Sequence, residues 1–135
     1  MADLLVELDA SVYVLDSLWN MGSGTVTERI ESCVRKLRKA HPDTPILLPE
    51  DSNVWNVTPT EKGRLLRAVH KKLTKEGVRR VYFLSNEKML GTDREGTVDG
   101  CHPNDLGMMR HAAAFAKALA PLLRLSDGRA TKDHQ

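Results

Sequence analysis

A chain of 135 residues has room for one domain and one apolar core. With 41% hydrophobic and 28% charged residues it has the balance of an ordinary folded domain, and a net charge of +2 is too small for a phosphate-neutralising nucleic-acid surface. No apolar run approaches the ~20 residues that span a bilayer, and Met1-Ala2-Asp3 opens no basic-then-apolar leader. As the chain is written this predicts a cytoplasmic protein, while a longer native form could be exported. Its two cysteines make no disulfide framework. Cys33 falls on the apolar side of a helical pattern, and Cys101 stands beside His102.

In chain order, Ala2 to Leu8 read as a brief helix. Ser11-Val12-Tyr13-Val14-Leu15-Asp16 is a strand whose unbroken apolar centre suits a position covered on both faces. Thr25-Val26-Thr27-Glu28 has the form of a capping box, and Ile30, Cys33, Val34 and Leu37 follow at helical spacing until Pro42 ends the helix. Pro45-Ile46-Leu47-Leu48 is the second strand. Thr58-Pro59-Thr60-Glu61 is a second capping box, opening a helix with Leu65, Val69 and Leu73 as its buried stripe and Gly77 as its stop. Val78 to Leu84 form the third strand. A Gly-rich, charged loop leads to a last helix from about Pro103-Asn104 to Leu123, and a polar tail from Ser126 to Gln135 is expected to be disordered.

Strands alternating with helices of this length call for right-handed crossovers and a parallel sheet, so the class is α/β with helices on both faces, a three-layer αβα arrangement. Ligands of such sheets bind beyond the carboxyl ends of the strands. That rim gathers Asp16, Ser17, Trp19 and Asn20; then Glu50, Asp51, Ser52, Asn53 and Trp55; then Ser85, Asn86 and Glu87; and finally the loop bearing Asp99 and His102. Trp19, Ser52 and Trp55 are candidates for lining a substrate cleft. The basic run Arg64, Arg67, Lys71, Lys72, Lys75, Arg79 and Arg80 reads as a solvated helix face. Asp99, His102 and Glu87 have no fixed metal-ligand spacing, and neither a metal nor a cofactor is expected.

The sharpest signal is Val98-Asp99-Gly100-Cys101-His102-Pro103-Asn104-Asp105-Leu106-Gly107. An Asp three residues before a His, across a glycine, can accept from the near imidazole nitrogen and leave the far one free as a general base. The string resembles the last block of the SGNH/GDSL hydrolases, a family of esterases, lipases and acylhydrolases. Val14-Leu15-Asp16-Ser17-Leu18-Trp19-Asn20-Met21 is similar to that family's third block.

The resemblance implies a flavodoxin-like fold over residues 1–125, here reduced to about three strands, and acyl-ester hydrolysis by Ser-His-Asp chemistry. It makes His102 the base, Asp99 its orienter and Asn20 an oxyanion donor. It implies a small-molecule or carbohydrate acyl ester as substrate. The family's Gly-Asp-Ser nucleophile block is not found. Glu50-Asp51-Ser52-Asn53 imitates it only superficially, and Cys101 is too close to His102 to face its distal nitrogen. The expectation is a truncated form whose nucleophile lies outside this chain, or else a non-catalytic remnant serving as a binding or interaction module. The family's strand order, 2-1-3-4-5, would leave the edge of strand 12–15 bare and prone to self-association.

Overall fold

The computed structural model describes residues 2–52, 59–87 and 89–130, with side chains in the last helix as far as Arg124. Its elements are α1 (Ala2–Val6), β1 (Tyr13–Val14), a 3-10 turn at Leu18–Asn20, α2 (Ser23–Ala40), β2 (Ile46–Pro49), α3 (Glu61–Lys75), β3 (Val81–Leu84) and α4 (Asp105–Ala130). The strands form an open parallel sheet in the order β1-β2-β3. The α/β class and the parallel sheet expected from the alternating pattern are present.

Tyr13 and Leu15 of the first strand, Ile46 and Leu48 of the second, and Val81 of the third point to one face. There they meet Val26, Ile30, Val34 and Leu37 of α2 and Leu66, Val69 and Leu73 of α3. Each such aliphatic side chain contributes roughly 1.5–3 kcal/mol on leaving water, so this face dominates the stability. Leu47, on the other face, is equally buried. The stripe of α3 runs through Leu66 and not Leu65, which is only partly buried; in α2 Val26 completes the row and Cys33 sits at its margin.

Both helix starts differ from expectation. α2 begins at Ser23 with Gly22 as its cap, and Thr25 donates its hydroxyl to the Gly22 carbonyl instead of capping the helix itself. In α3 the cap is Thr60, whose Oγ1 accepts from the Gly63 N–H at 2.9 Å; Thr58 lies outside the described residues. α4 continues beyond Leu123 to Ala130, and the end of the tail, 131–135, lies outside the described residues.

β1 is shorter and more open than its apolar run suggests. Tyr13 and Leu15 donate their N–H groups to Pro45 and Leu47, whereas Ile46 and Glu50 donate theirs to Arg80 and Leu84 on the β3 side. By this alternation the position of Pro49 faces β1, where proline has no N–H to offer, and the ladder between β1 and β2 stops. Val14 points away from the core and is 38% exposed, so the first strand is not covered on both faces. Among the described residues no helix is long and apolar enough to cross a membrane.

Candidate functional site

The rim at the carboxyl ends of β2 and β3 is buried and internally paired. Glu50 follows Pro49 and has a side chain with no solvent exposure. Arg67 Nε donates to its Oε1 at 2.5 Å and Arg67 Nη2 to its Oε2 at 2.8 Å, while the Asn86 N–H reaches Oε2 at 2.9 Å. Arg67 also donates to Ser85 Oγ and lies over the Phe83 ring at 5.1 Å. Asn86 Nδ2 donates to the Asp51 carbonyl at 2.7 Å, and the Asp51 carboxylate accepts from the Thr60 hydroxyl. A buried carboxylate needs this density of donors, since an unpaired charge there would cost several kcal/mol.

The arrangement corrects two readings. Arg67 is not part of a solvated face but the counter-ion of Glu50, which holds its guanidinium above the usual range. Ser52, the centre of the Gly-Asp-Ser lookalike, is 3% exposed and turned into the molecule, which ill suits a wall of an open cleft. Trp55 lies outside the described residues. Elsewhere the run is largely exposed, as expected of a solvated face, with Lys72 paired to Glu31 and Arg80 donating to the Asp43 carbonyl.

Asp99 and His102 meet in the loop that returns from β3 to α4. Gly100, at φ 87°, supplies the left-handed residue that folds the turn. Asp99 Oδ1 then accepts from the backbone N–H groups of Cys101 at 2.9 Å and His102 at 2.8 Å. Its Oδ2 lies 2.6 Å from His102 Nδ1, which donates because the ionised carboxylate can only accept. The backbone N–H and imidazole of His102, with the N–H of Cys101, hold the Asp99 carboxyl down at about 2. The His102 side chain is 75% exposed, and among the described residues Nε2 has no partner. Such a pair can take a proton at Nε2 while the carboxylate fixes the tautomer and supports the cation.

The turn is closed beneath the pair. Thr97 and Pro103 form an antiparallel bridge, the Val98 N–H bonds the His102 carbonyl, and the Thr97 hydroxyl accepts from the Gly100 N–H. Asn104 caps α4, its Oδ1 accepting from the Gly107 N–H at 2.9 Å.

Asn20 ends the 3-10 turn after β1, exposed at the same rim. It lines a cavity of about 620 Å³ between α1, β1 and α2, together with Asp16, Ser17, Val14, Met21 and Leu5. Asp99 and His102 do not line this cavity. Desolvation raises the Asp16 carboxyl, and the charge of His111 in α4 partly offsets it. Trp19 is fixed by Lys62, whose ammonium lies 5.8 Å from the indole centre and donates to the Leu18 carbonyl at 2.7 Å. The sequence pattern missed Arg67, and with it the Glu50 network; the signal present was a carboxylate directly closing an apolar strand.

The chain as a whole resembles one set of known proteins. The profile of the GDSL-like Lipase/Acylhydrolase family matches residues 1–120. The chain is similar to a GDSL-like lipase of Bacteroides ovatus at 34% identity and a TM-score of 0.76, covering 91% of this chain and 39% of that one. It shares its fold with a salicylyl-acyltransferase of a tetracycline biosynthetic pathway (22% identity, TM-score 0.70, 90% of this chain and 40% of that one). A family 3 carbohydrate esterase of Clostridium thermocellum is a further fold relative (18% identity, TM-score 0.68, 91% and 62%). This chain thus spans less than two-thirds of the length of each of these proteins. No curated protein matches it in sequence. With the profile match extending over most of its length, the chain belongs to the GDSL-like lipase/acylhydrolase family.

Proposed function

We propose that this chain carries the acid–imidazole half of an acyl-ester hydrolase site. His102 is the general base that activates a serine hydroxyl and later returns the proton to the leaving alcohol. Asp99 orients it, and Asn20 donates its amide to the oxyanion. The serine belongs to a Gly-Asp-Ser segment outside these 135 residues, and the substrate is a small-molecule or carbohydrate ester. The observation that carries the reading is the 2.6 Å contact between His102 Nδ1 and Asp99 Oδ2, with Nε2 turned to solvent. Family membership and the greater length of the solved relatives support it.

The test is hydrolysis of p-nitrophenyl acetate by this chain alone and by a form extended with a Gly-Asp-Ser-bearing segment. The expected result is background turnover alone and turnover in the extended form that falls at least ~10³-fold with His102→Ala. Turnover that survives that substitution unchanged overturns the reading. No turnover in any extended form favours a binding module built on the same fold.

A further inference from the structure

The turn that holds Asp99 and His102 has little burial of its own: both side chains face solvent and the neighbouring Val98 is 75% exposed. It is held by the close approach of Gly107 in α4 to the Gly96 carbonyl and by polar contacts with that helix. Arg110, in the second turn of that helix, presents its guanidinium fork to the loop. Nη1 donates to Asp93 Oδ1 at 2.7 Å and to the Leu90 carbonyl at 2.9 Å, and Nη2 donates to Asp93 Oδ2 at 2.6 Å. Gly91 has φ 88° and lies against the guanidinium so closely that a Cβ would stand 2.1 Å from Nη1. A side chain at 91 would therefore displace the guanidinium, and the positive φ there favours glycine in any case.

The segment just after the clamp is under tension. Arg94 has φ 66°, a left-handed conformation that a side chain disfavours. From there the chain reaches the dyad in two steps. The Glu95 carbonyl accepts from Asn104 Nδ2 at 2.7 Å, and the Gly96 carbonyl from the Asn104 N–H at 3.2 Å. Asn104 follows Pro103, whose bridge with Thr97 closes the turn around His102. Asp93 Oδ1 also accepts from the Glu95 N–H at 3.1 Å, so releasing Asp93 would free Glu95 and Gly96 to shift under Asn104.

We propose that Arg110 and Asp93 are positioning residues, an ion-pair clamp that sets the geometry of the Asp99–His102 pair from the helix behind it. The inference rests on reading that pair as the functional centre, and it deepens that reading by naming what aligns it. A bidentate Arg–carboxylate pair suits the task, since it fixes direction as well as distance.

The test reads the imidazole and not hydrolysis. With ¹⁵N-labelled histidine, the ring-nitrogen shifts of neutral His102, assigned with His102→Ala, report which nitrogen carries the proton. In the native chain the bond to Asp99 holds it on Nδ1. Arg110→Gln and Asp93→Asn are each expected to move the population toward the Nε2–H tautomer, in the direction Asp99→Asn does, while core amides such as those of Leu47 and Leu48 stay in place. Arg110→Lys, keeping charge without the fork, is expected to fall between. A tautomer ratio unchanged in folded Asp93→Asn overturns the proposal, and this near-isosteric change at a half-exposed carboxylate carries the test if Arg110→Gln unfolds. Because no ester is involved, an inactive chain with a clamp-dependent tautomer leaves the inference standing, and an active one with an indifferent tautomer removes it alone.

Discussion

At the scale of single residues, Asp99 and Glu50 show two ways of holding a carboxylate. Asp99 is half exposed and held by short-range donors, which bring its carboxyl from the usual 3.8 to about 2. The folded value is depressed, so the order that the ionised group lends its turn is fully present above about pH 4 and is lost as pH falls through 2. The amide resonances of Cys101 and His102, which the carboxylate holds, are expected to move together as pH falls from about 4 to 2. Glu50 is held from a distance. Arg67→Ala would leave its carboxylate buried without a counter-charge and is expected to lower unfolding stability by about 3 kcal/mol in urea titration. Adding Glu50→Gln to that variant should recover part of the loss, since the uncompensated charge is then gone. The Asp-x-x-His turn was legible in the sequence because its partners are neighbours in the chain. Arg67 was not, because its mate comes from another strand and helical spacing alone made it one more exposed cation.

The elements themselves were legible from hydrophobic period, and their ends less so. The rows Ile30, Val34, Leu37 and Val69, Leu73 lie where their spacing put them. Leu65 and Leu66 are adjacent and equally apolar, and only packing against the sheet chose Leu66. The capping box put the cap of α3 at Thr58; the structure has it at Thr60, whose hydroxyl reaches Asp51 as well as the first turn. Thr60→Ala is therefore expected to cost about 1 kcal/mol in thermal or urea unfolding, and Thr60→Ser much less. At the start of α4, Gly107 approaches the loop so closely that a Cβ would sit 1.8 Å from the Gly96 carbonyl oxygen, a backbone atom that cannot swing aside. Gly107→Ala should consequently push the loop from the helix, seen as faster amide hydrogen exchange at Val98 and Asn104 with core amides unaffected.

For the molecule as a whole, one side of the sheet edge is open. Among the described residues β1 pairs with β2 alone, and Val14 stands at its margin above the cavity that Asn20 shares. A bare strand edge offers backbone groups to a second chain. Sedimentation velocity over a ~100-fold concentration range is expected to show self-association, reduced by Val14→Lys; a concentration-independent monomer would count against it. The class of fold was readable from the alternation of strands and helices. The exposure of Val14 was not, because four consecutive apolar residues look the same whether one face is covered or two; nor was the early end of the β1–β2 ladder, which Pro49 on the neighbouring strand sets.

The closed turn from Thr97 to Asn104 has a wider consequence. Its acid, its imidazole and the bonds that align them come from one short stretch, joined to the rest mainly by a crossing of two glycines and one guanidinium fork. Such a stretch behaves as a cassette. Grafted with its two glycines and the Arg110–Asp93 pair onto another strand-to-helix connection of this family, it should arrive with its carboxylate–imidazole contact already set, leaving the host sheet free to vary in the groups it presents opposite.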